Sequence, residues 1–316
     1  MVLWFYGTEP STRISKRDEV FEDLMDAWRR HAALTALFTY MLIVLGGIVR
    51  ITGSGMGCGD DWPLCNGQLF PPWDFATWIE WSHRLAAAFI AVLIGVLSVW
   101  AFLERRNPAW HGRFRFTIWV MVLLVIQIFL GAVTVWLELP PTTVVLHLGT
   151  AMALLATLLL GSLGFTDGFP RVNQVTPAIR MAWLLAGLGA VTVMLGGLVA
   201  NLSAAPACQG FPLCNGSLFP GGHWRIHLHW VHRVSAYLLM LGVFSLPWTG
   251  PEQVRLSAWV SAVLTAAQVI VGAVMVLEIL PQSWRIAHVA LGTAVFGTLV
   301  VHAYRTGDAN VSSDSV

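Results

Sequence analysis

Charged residues are scarce in this chain: Lys, Arg, Asp and Glu together make up 11% of its 316 residues, whereas about 25% is usual in a soluble domain. The chain has no run of basic residues and a formal net charge of +1, so nothing in its charge pattern favours nucleic acid as a partner. Hydrophobic residues, in contrast, make up 56% of it. This composition predicts an integral membrane protein whose main surroundings are membrane lipid.

Eight segments are long and apolar enough to cross a bilayer, which takes about 20 residues. They lie near residues 32–52, 79–103, 117–137, 144–165, 181–200, 227–247, 257–277 and 284–303. Several contain Gly, Ser, Thr or a single Gln, as is usual where helices pack on each other rather than on lipid. We therefore predict an all-α integral membrane protein with eight transmembrane helices.

The two halves of the chain repeat the same motifs. The first half has Gly46-Gly47, Cys58, Pro63-Leu64-Cys65-Asn66-Gly67, His83-Arg84, Gln127 and His147; the second has Gly196-Gly197, Cys208, Pro212-Leu213-Cys214-Asn215-Gly216, His232-Arg233, Gln268 and His288. Four helices per half is an even number, so both halves enter the bilayer in the same sense. The repeat is therefore parallel, and it predicts two pseudo-symmetric four-helix bundles. Gln127 and Gln268 are interpreted as interhelical hydrogen-bonding residues.

The repeat also predicts the domain boundaries. We expect an N-terminal segment at 1–31, a first bundle at 32–165, a linker at 166–180, a second bundle at 181–303 and a polar tail at 304–316.

Basic residues are concentrated in the N-terminal segment and in the loops after the even-numbered spans. By the positive-inside rule, both termini are cytoplasmic and the cysteine-bearing loops lie on the outer side. The first 31 residues contain acidic residues, which transit peptides lack. The sequence therefore favours a bacterial inner-membrane protein.

All four cysteines lie in two outer loops, two in each. In an oxidising compartment this arrangement predicts two local disulfides, Cys58–Cys65 and Cys208–Cys214. Each disulfide either holds its loop together or forms a redox-active pair close to a cofactor. Metal binding is a weaker interpretation, because zinc sites usually have shorter cysteine spacings.

Four histidines, His83, His147, His232 and His288, lie near the start of an even-numbered span, two in each half and all at the outer end of the membrane. Imidazole suits iron, and a haem between two helices takes one histidine from each side. The pattern therefore predicts two haem sites, one per half. His31, His111, His223 and His302 are interpreted as solvated or interfacial residues.

Arg84 and Arg233 each follow one of the predicted ligands. Guanidinium groups bind carboxylates well, so these residues are interpreted as partners of the haem propionates, with lipid headgroups as the alternative.

The two halves differ at one ionisable position: Glu80 lies one turn before His83, whereas His229 lies one turn before His232. A carboxylate beside one of the two sites suggests that the halves have different roles. We expect Glu80 to relay protons or to orient a reacting group in the first half, with an interfacial carboxylate as the alternative.

These residues resemble the heme A synthase family. The resemblance is carried by Gly53-Ser54-Gly55 with Cys58, by Trp62-Pro63-Leu64-Cys65-Asn66-Gly67, by Ile79-Glu80-Trp81-Ser82-His83-Arg84, and by the internal repeat. It implies oxidation of the C8 methyl of haem O to a formyl group, which gives haem A for terminal oxidases.

The resemblance also implies the roles of the site residues. His83 and His147 would flank the substrate haem, His232 and His288 would hold a haem b, and Glu80 and the Cys58–Cys65 loop would matter to activity. The expected partners are haem O, a haem O synthase, an electron-transfer protein of unknown identity and a second copy of the chain.

Two other functions use the same residues. A two-haem electron-transfer cytochrome b would need the same histidines, although such proteins usually place their haems at opposite depths of the membrane. A membrane thiol/quinone oxidoreductase would make the cysteines catalytic, and it leaves the repeated histidines unexplained.

Overall fold

The computed structural model describes residues 16–167 and 175–313, and the regular secondary structure in these ranges is helical. The long helices are α1 (Lys16–Ile51), α2 (Phe75–Leu103), α3 (His111–Trp136), α4 (Pro141–Ser162), α5 (Pro177–Asn201), α6 (Trp224–Thr249), α7 (Arg255–Leu277) and α8 (Gln282–Ser313). Short 3₁₀ turns precede α3 and α7 and follow α4 and α5. The predicted all-α membrane fold is confirmed.

Seven of the eight helices are long and apolar enough to cross a membrane; the exception is α6. At 26 residues α6 is long enough to span a membrane, but its first three turns carry Arg225, His227, His229, His232 and Arg233. These polar residues lower its hydropathy. Two of them, His229 and Arg233, are buried within the protein and so do not face lipid.

The helices form two rings of four. In the first half α1 packs on α2, α2 on α3, α3 on α4 and α4 on α1, and α5 to α8 repeat this pattern in the second half. The halves meet through α1 with α8, α4 with α5, and α4 with α8. Exchanging α1 with α5 and α4 with α8 leaves these contacts unchanged, which is the pattern of an internal two-fold repeat. In each ring the second and fourth helices are opposite one another.

The loops that follow α1 and α5 also repeat in structure. Cys65 pairs with Gln68 in an antiparallel bridge, and Cys214 pairs with Ser217 in the same way. The indole of Trp81 donates to the carbonyl of Leu69 over 2.9 Å. Its counterpart Trp230 donates to the carbonyl of Leu218 over the same distance.

Helix α2 begins directly after its loop because Asp74 caps it. The Asp74 carboxylate accepts hydrogen bonds from the backbone N–H and the hydroxyl of Thr77, at 3.1 and 3.0 Å. These hydrogen bonds hold the pKa of Asp74 below its usual value. The cap fixes where α2 begins. Glu80 and His83 therefore lie about one and about two turns from the start of this helix.

Two predicted boundaries fall inside continuous helices. Helix α1 runs through residue 31 without a break, since Trp28 is fully buried against the bundle. Helix α8 continues past 303 to Ser313, and Thr306 is still buried there. The start of the predicted linker at 166 falls in a 3₁₀ turn, and α5 begins at Pro177, before the predicted end at 180. Residues 1–15, 168–174 and 314–316 lie outside the described ranges.

Candidate functional site

Each of the four histidines predicted as ligands packs against a glycine of the preceding helix. A Cβ atom added to the glycine would lie 3.0–3.2 Å from the histidine Cε1 atom. The pairs are Gly46 with His83 at 3.2 Å, Gly131 with His147 at 3.2 Å, Gly196 with His232 at 3.1 Å, and Gly272 with His288 at 3.0 Å. Any larger residue at these positions would press on the ring. The glycines therefore fix where the imidazoles lie inside each bundle.

In the second half, His232 of α6 and His288 of α8 face each other across the bundle. Their ring centroids are 6.4 Å apart and their planes are inclined at 75°. A metal–nitrogen bond of about 2 Å on each side, plus about 1 Å from each nitrogen to its ring centre, gives about 6 Å. The separation therefore fits two imidazoles that bind one metal ion from opposite sides.

The tautomer of His232 is set by a backbone carbonyl. Its Nδ1 atom lies 3.1 Å from the carbonyl oxygen of Thr192, which only accepts hydrogen bonds. Nδ1 therefore carries the proton, and Nε2 has its lone pair available for a metal. A hydrogen bond of this kind behind the ring is typical of metal-binding histidines.

The remaining ring contacts involve the two glutamines. Gln127 Nε2 lies 3.2 Å from His147 Nε2, and Gln268 Nε2 lies 3.3 Å from His288 Nε2. Both amides therefore connect neighbouring helices, and their partner in each case is a predicted ligand. Sequence reasoning missed this pairing, although the spacing from glutamine to histidine is identical in the two halves.

Several buried polar atoms of this region have no protein hydrogen-bond partner. They are Nδ1 of His83, His147 and His288, and Oε1 of Gln127 and Gln268. Buried polar groups normally have partners, so such a concentration marks a polar interior that suits a bound group.

Among the described residues, no set of three or more His, Cys, Asp or Glu side chains could hold a metal ion. Two opposed histidines are what a haem iron needs, because the porphyrin supplies its other four ligands. The second-half pair therefore fits a haem.

Glu80 is buried at the base of the loop between α1 and α2, and both of its carboxylate oxygens have partners. The backbone N–H of Cys58 donates to Oε2 over 2.8 Å, and Arg84 binds Oε1 at 2.5 Å. Arg84 also donates to the carbonyl oxygens of Asp61 and Leu64. The Glu80–Arg84 pair thus attaches the disulfide loop to α2 one turn before His83.

In the second half, Arg233 attaches the corresponding loop. It donates to the carbonyl oxygens of Cys208, Gly210 and Leu213 at 2.6–3.0 Å. His229 takes the place of the carboxylate, and its Nε2 accepts from Arg233 Nε over 3.3 Å. The sequence difference between Glu80 and His229 therefore falls at equivalent structural positions.

The structure joins Cys58 to Cys65 and Cys208 to Cys214, the same pairs that the sequence predicts. Guanidinium N–H groups of Arg84 and Arg233 bind carbonyls of these loops. The pairing of these two arginines with haem propionates stays a prediction.

Three of the other histidines have structural partners. His31 bonds the carbonyl of Leu93 at 2.9 Å, and His223 caps α6. His302, interpreted as interfacial, is instead buried, and its Nδ1 lies 2.9 Å from Ser257 Oγ. In α6, His227 is exposed and His229 is bonded by Arg233. The candidate ligands are therefore still His83, His147, His232 and His288.

The fold and the site together define a multi-pass membrane protein with paired histidines inside each of two helix bundles. Residues 29–300 match the profile of the COX15-CtaA family, described as cytochrome oxidase assembly protein. This match covers most of the chain, and the chain belongs to this family.

Several curated relatives carry the name heme A synthase. The protein of Symbiobacterium thermophilum is 33% identical over 298 residues, which cover 89% of this chain and 96% of the relative. That of Exiguobacterium sp. is 32% identical over 278 residues, covering 84% and 90%. That of Alkalihalophilus pseudofirmus is 32% identical over 227 residues, covering 69% and 75%.

Proposed function

We propose that this chain is a heme A synthase, which oxidises the C8 methyl of haem O to the formyl group of haem A. His83 and His147 would hold the substrate haem in the first half, and His232 and His288 would hold a haem b in the second. The observation that carries the proposal is the set of four histidines, each packed against a glycine. In the second half the ring centroids of His232 and His288 are 6.4 Å apart. The family and the names of its relatives support the same reaction.

Different roles for the two halves are supported by the surroundings of their histidines. The His232 ring is held from behind by the Thr192 carbonyl, whereas Nδ1 of His83, like Nδ1 of His147 and of His288, has no hydrogen-bond partner. One of the two proposed ligands is thus fixed in the second half and neither is in the first. A ligand fixed in this way suits a permanent cofactor. The freer His83 suits a haem that enters as substrate and leaves as product.

The reaction would convert the methyl group to a geminal diol in two hydroxylations, each using one dioxygen, two electrons from a donor and two protons and releasing one water. The diol would then lose a further water to give the formyl group. Protein side chains do not oxidise an unactivated methyl group, so bound haem iron would supply the redox chemistry. The chain itself supplies orientation. The glycines fix the imidazole rings, and Gln127 and Gln268 hold His147 and His288 in place before haem binds.

We assign Glu80 a positioning role within this mechanism. Both of its oxygens have partners, so it attaches the Cys58–Cys65 loop beside the substrate site. This differs from the proton relay that the sequence alone favours. The same geometry supports a structural role for both disulfides.

We further propose that the protein lies in the bacterial inner membrane, with both termini cytoplasmic and both disulfide loops on the periplasmic side. The distribution of basic residues supports this orientation. The substrate half would comprise α1 to α4 and the haem b half α5 to α8. Haem O synthase, an electron-transfer protein and a second copy of the chain are its proposed partners.

Replacing Gly46 by leucine tests the proposed substrate site. Because a Cβ there already lies 3.2 Å from the His83 ring, the larger side chain should displace this ligand, and product formation should fall about a hundredfold. Haem A formed by membranes supplied with haem O would be measured, together with haem b per protein. The haem b content should stay normal, because the second half is unchanged.

The matched control is Gly95→Leu in α2, where an added Cβ meets nothing within 4 Å. It should behave as the wild type. Full activity in Gly46→Leu, with haem b equally loaded in both variants, would contradict the assignment of the first half.

A further inference from the structure

Two arginines meet where the two halves touch, at the end of the molecule that carries the disulfide loops. Arg50 lies in the last turn of α1, and Arg285 lies in the first turn of α8. About one turn further inside, these helices are in close contact, since a Cβ atom added to Gly47 would lie 2.9 Å from Cγ1 of Val289. Both arginines are partly buried, and their charges repel one another across this contact.

Both arginines also lie beside the proposed haem site of the second half. Arg285 precedes His288 by three residues, so the two side chains lie on the same side of α8 about one turn apart. Arg50 comes from the first half but binds the second: its Nε donates to Asn201 Oδ1 over 2.7 Å, and its Nη2 donates to the carbonyl oxygen of Ala200 over 2.8 Å. These two residues end α5, which packs on both ligand-bearing helices of the second half, α6 and α8.

The two charges have no acidic partner among the residues that the structure describes. The ion pairs found there involve the carboxylates of Asp26, Glu80 and Glu252, and none of them includes Arg50 or Arg285. The carbonyl groups that end α5 compensate the charge of Arg50 in part. Two like charges held close together in a partly buried place still cost free energy unless an anion joins them. The pair therefore has the charge and the position of an anion site.

The contact between helices on which this pair lies is repeated between the halves. A Cβ atom added to Gly197 of α5 would lie 3.2 Å from Cδ2 of Leu148 of α4. Gly197 is the counterpart of Gly47, and Leu148 is the counterpart of Val289. The molecule therefore has two equivalent contacts, and the residues at their loop ends can be compared directly.

The arginines occur at one of these two contacts only. When the glycine pairs of α1 and α5 are aligned, Arg50 corresponds to Ala200. When the candidate ligands of α4 and α8 are aligned, Arg285 corresponds to Val144. The second half thus has two cations beside its histidines where the first half has two aliphatic side chains.

We propose that Arg50 and Arg285 form a carboxylate site that binds a propionate of the haem held by His232 and His288, an inference that rests on the proposed function. The two propionates are the ionised side groups of a haem, and guanidinium groups bind carboxylates through strong, charge-assisted hydrogen bonds. Arg233, which the sequence favours for this role, already donates to three carbonyls of its loop. The aliphatic counterparts in the first half suit a haem that has to leave as product.

The test compares haem b with its dimethyl ester, in which both propionates are neutral. Each would be titrated into haem-free protein in nanodiscs, in a His83→Ala background in which the first half lacks one of its two ligands. This parent protein should bind haem b about tenfold more tightly than the ester, because the ester cannot form charge-assisted hydrogen bonds. In the double variant Arg50→Gln/Arg285→Gln the preference should disappear, while the affinity for the ester stays the same.

The matched control is Arg225→Gln, made in the same background. Arg225 lies at the same end of the molecule and donates to the carbonyl oxygen of Leu202 over 3.0 Å, so its replacement should leave the preference unchanged. Arg285→Lys retains the charge and should keep most of the preference. If the double variant folds poorly, Arg285→Gln alone gives the same comparison with the bonds between Arg50 and α5 intact.

Three results would overturn the proposal. They are equal affinities of the parent protein for haem b and its ester, an unchanged preference in the double variant, and equal weakening of both ligands, which would make the role of the arginines structural. Loss of a copurifying anionic phospholipid from the double variant, with the preference for haem b intact, would assign the pair to a lipid phosphate instead.

These binding measurements do not depend on turnover, so the two proposals can fail separately. Wild-type protein that prefers haem b over its ester but leaves haem O unoxidised would contradict the proposed function alone. Wild-type protein that oxidises haem O but binds haem b and its ester equally well would contradict the carboxylate site alone. Protein that binds no haem would contradict both.

Discussion

Purified His288→Ala protein is expected to lose the haem b proposed for the second half and to form no haem A. His288 faces His232 at a centroid distance of 6.4 Å, so alanine removes one of two opposed ligands. Changing a group beyond the ligands commonly lowers metal affinity about 10–100-fold, and loss of a ligand should exceed this. Haem b per protein would be measured by extraction, and axial ligation by the visible spectrum.

The control for His288→Ala is His302→Ala in the same helix. His302 is a buried histidine toward the other end of α8, where its Nδ1 contacts Ser257 of α7. The His302→Ala variant should have a cavity of comparable size and should keep its haem. If the His288 variant retains haem b with an unchanged spectrum, the second half does not bind haem through this residue.

Replacing Glu80 by glutamine is expected to lower haem A formation strongly, and Arg84→Gln should lower it by a similar factor. The pair is largely buried, with side-chain exposures of 4% and 13%. Removing one partner of a buried ion pair typically costs about 3–5 kcal/mol, because the other charge is left uncompensated. The Cys58–Cys65 loop should then become accessible to proteases.

A double-mutant cycle distinguishes positioning from proton transfer. If Glu80 acts by attaching the loop through Arg84, Glu80→Gln/Arg84→Gln should be little worse than either single variant, and all three should share one pH profile. The corresponding cycle of His229 and Arg233 provides the comparison in the second half. Additive losses, with a pH profile altered only when Glu80 is changed, would restore the proton relay.

The sequence was sufficient to predict the helices, which follow from local pattern and from the repeat. The repeat also singles out four candidate histidines, and their role as ligands stays a prediction. Even α6, which falls short in hydropathy, could be assigned from its counterpart α2. The positions at which helices begin and end were harder to predict from the sequence. A polar residue at a membrane surface does not end a helix, so α1 and α8 run through the predicted limits at 31 and 303.

Contacts between helices were out of reach of the sequence because they depend on how each helix is rotated. The repeat contains Gly46 and His83, but only the fold shows that they touch. Arg84 could be assigned to propionates or lipids from its position. Its bonds to the loop carbonyls depend on how the disulfide loop folds back over α2.

The most direct test of the central claim is the mass of the haem recovered after purified wild-type protein, loaded with haem b, is incubated with haem O, a reductant and dioxygen. The account predicts haem A, preceded by its hydroxymethyl intermediate, and neither product when His83→Ala replaces the wild type. Recovery of unmodified haem O from fully loaded wild-type protein would contradict it and would favour a two-haem electron-transfer cytochrome.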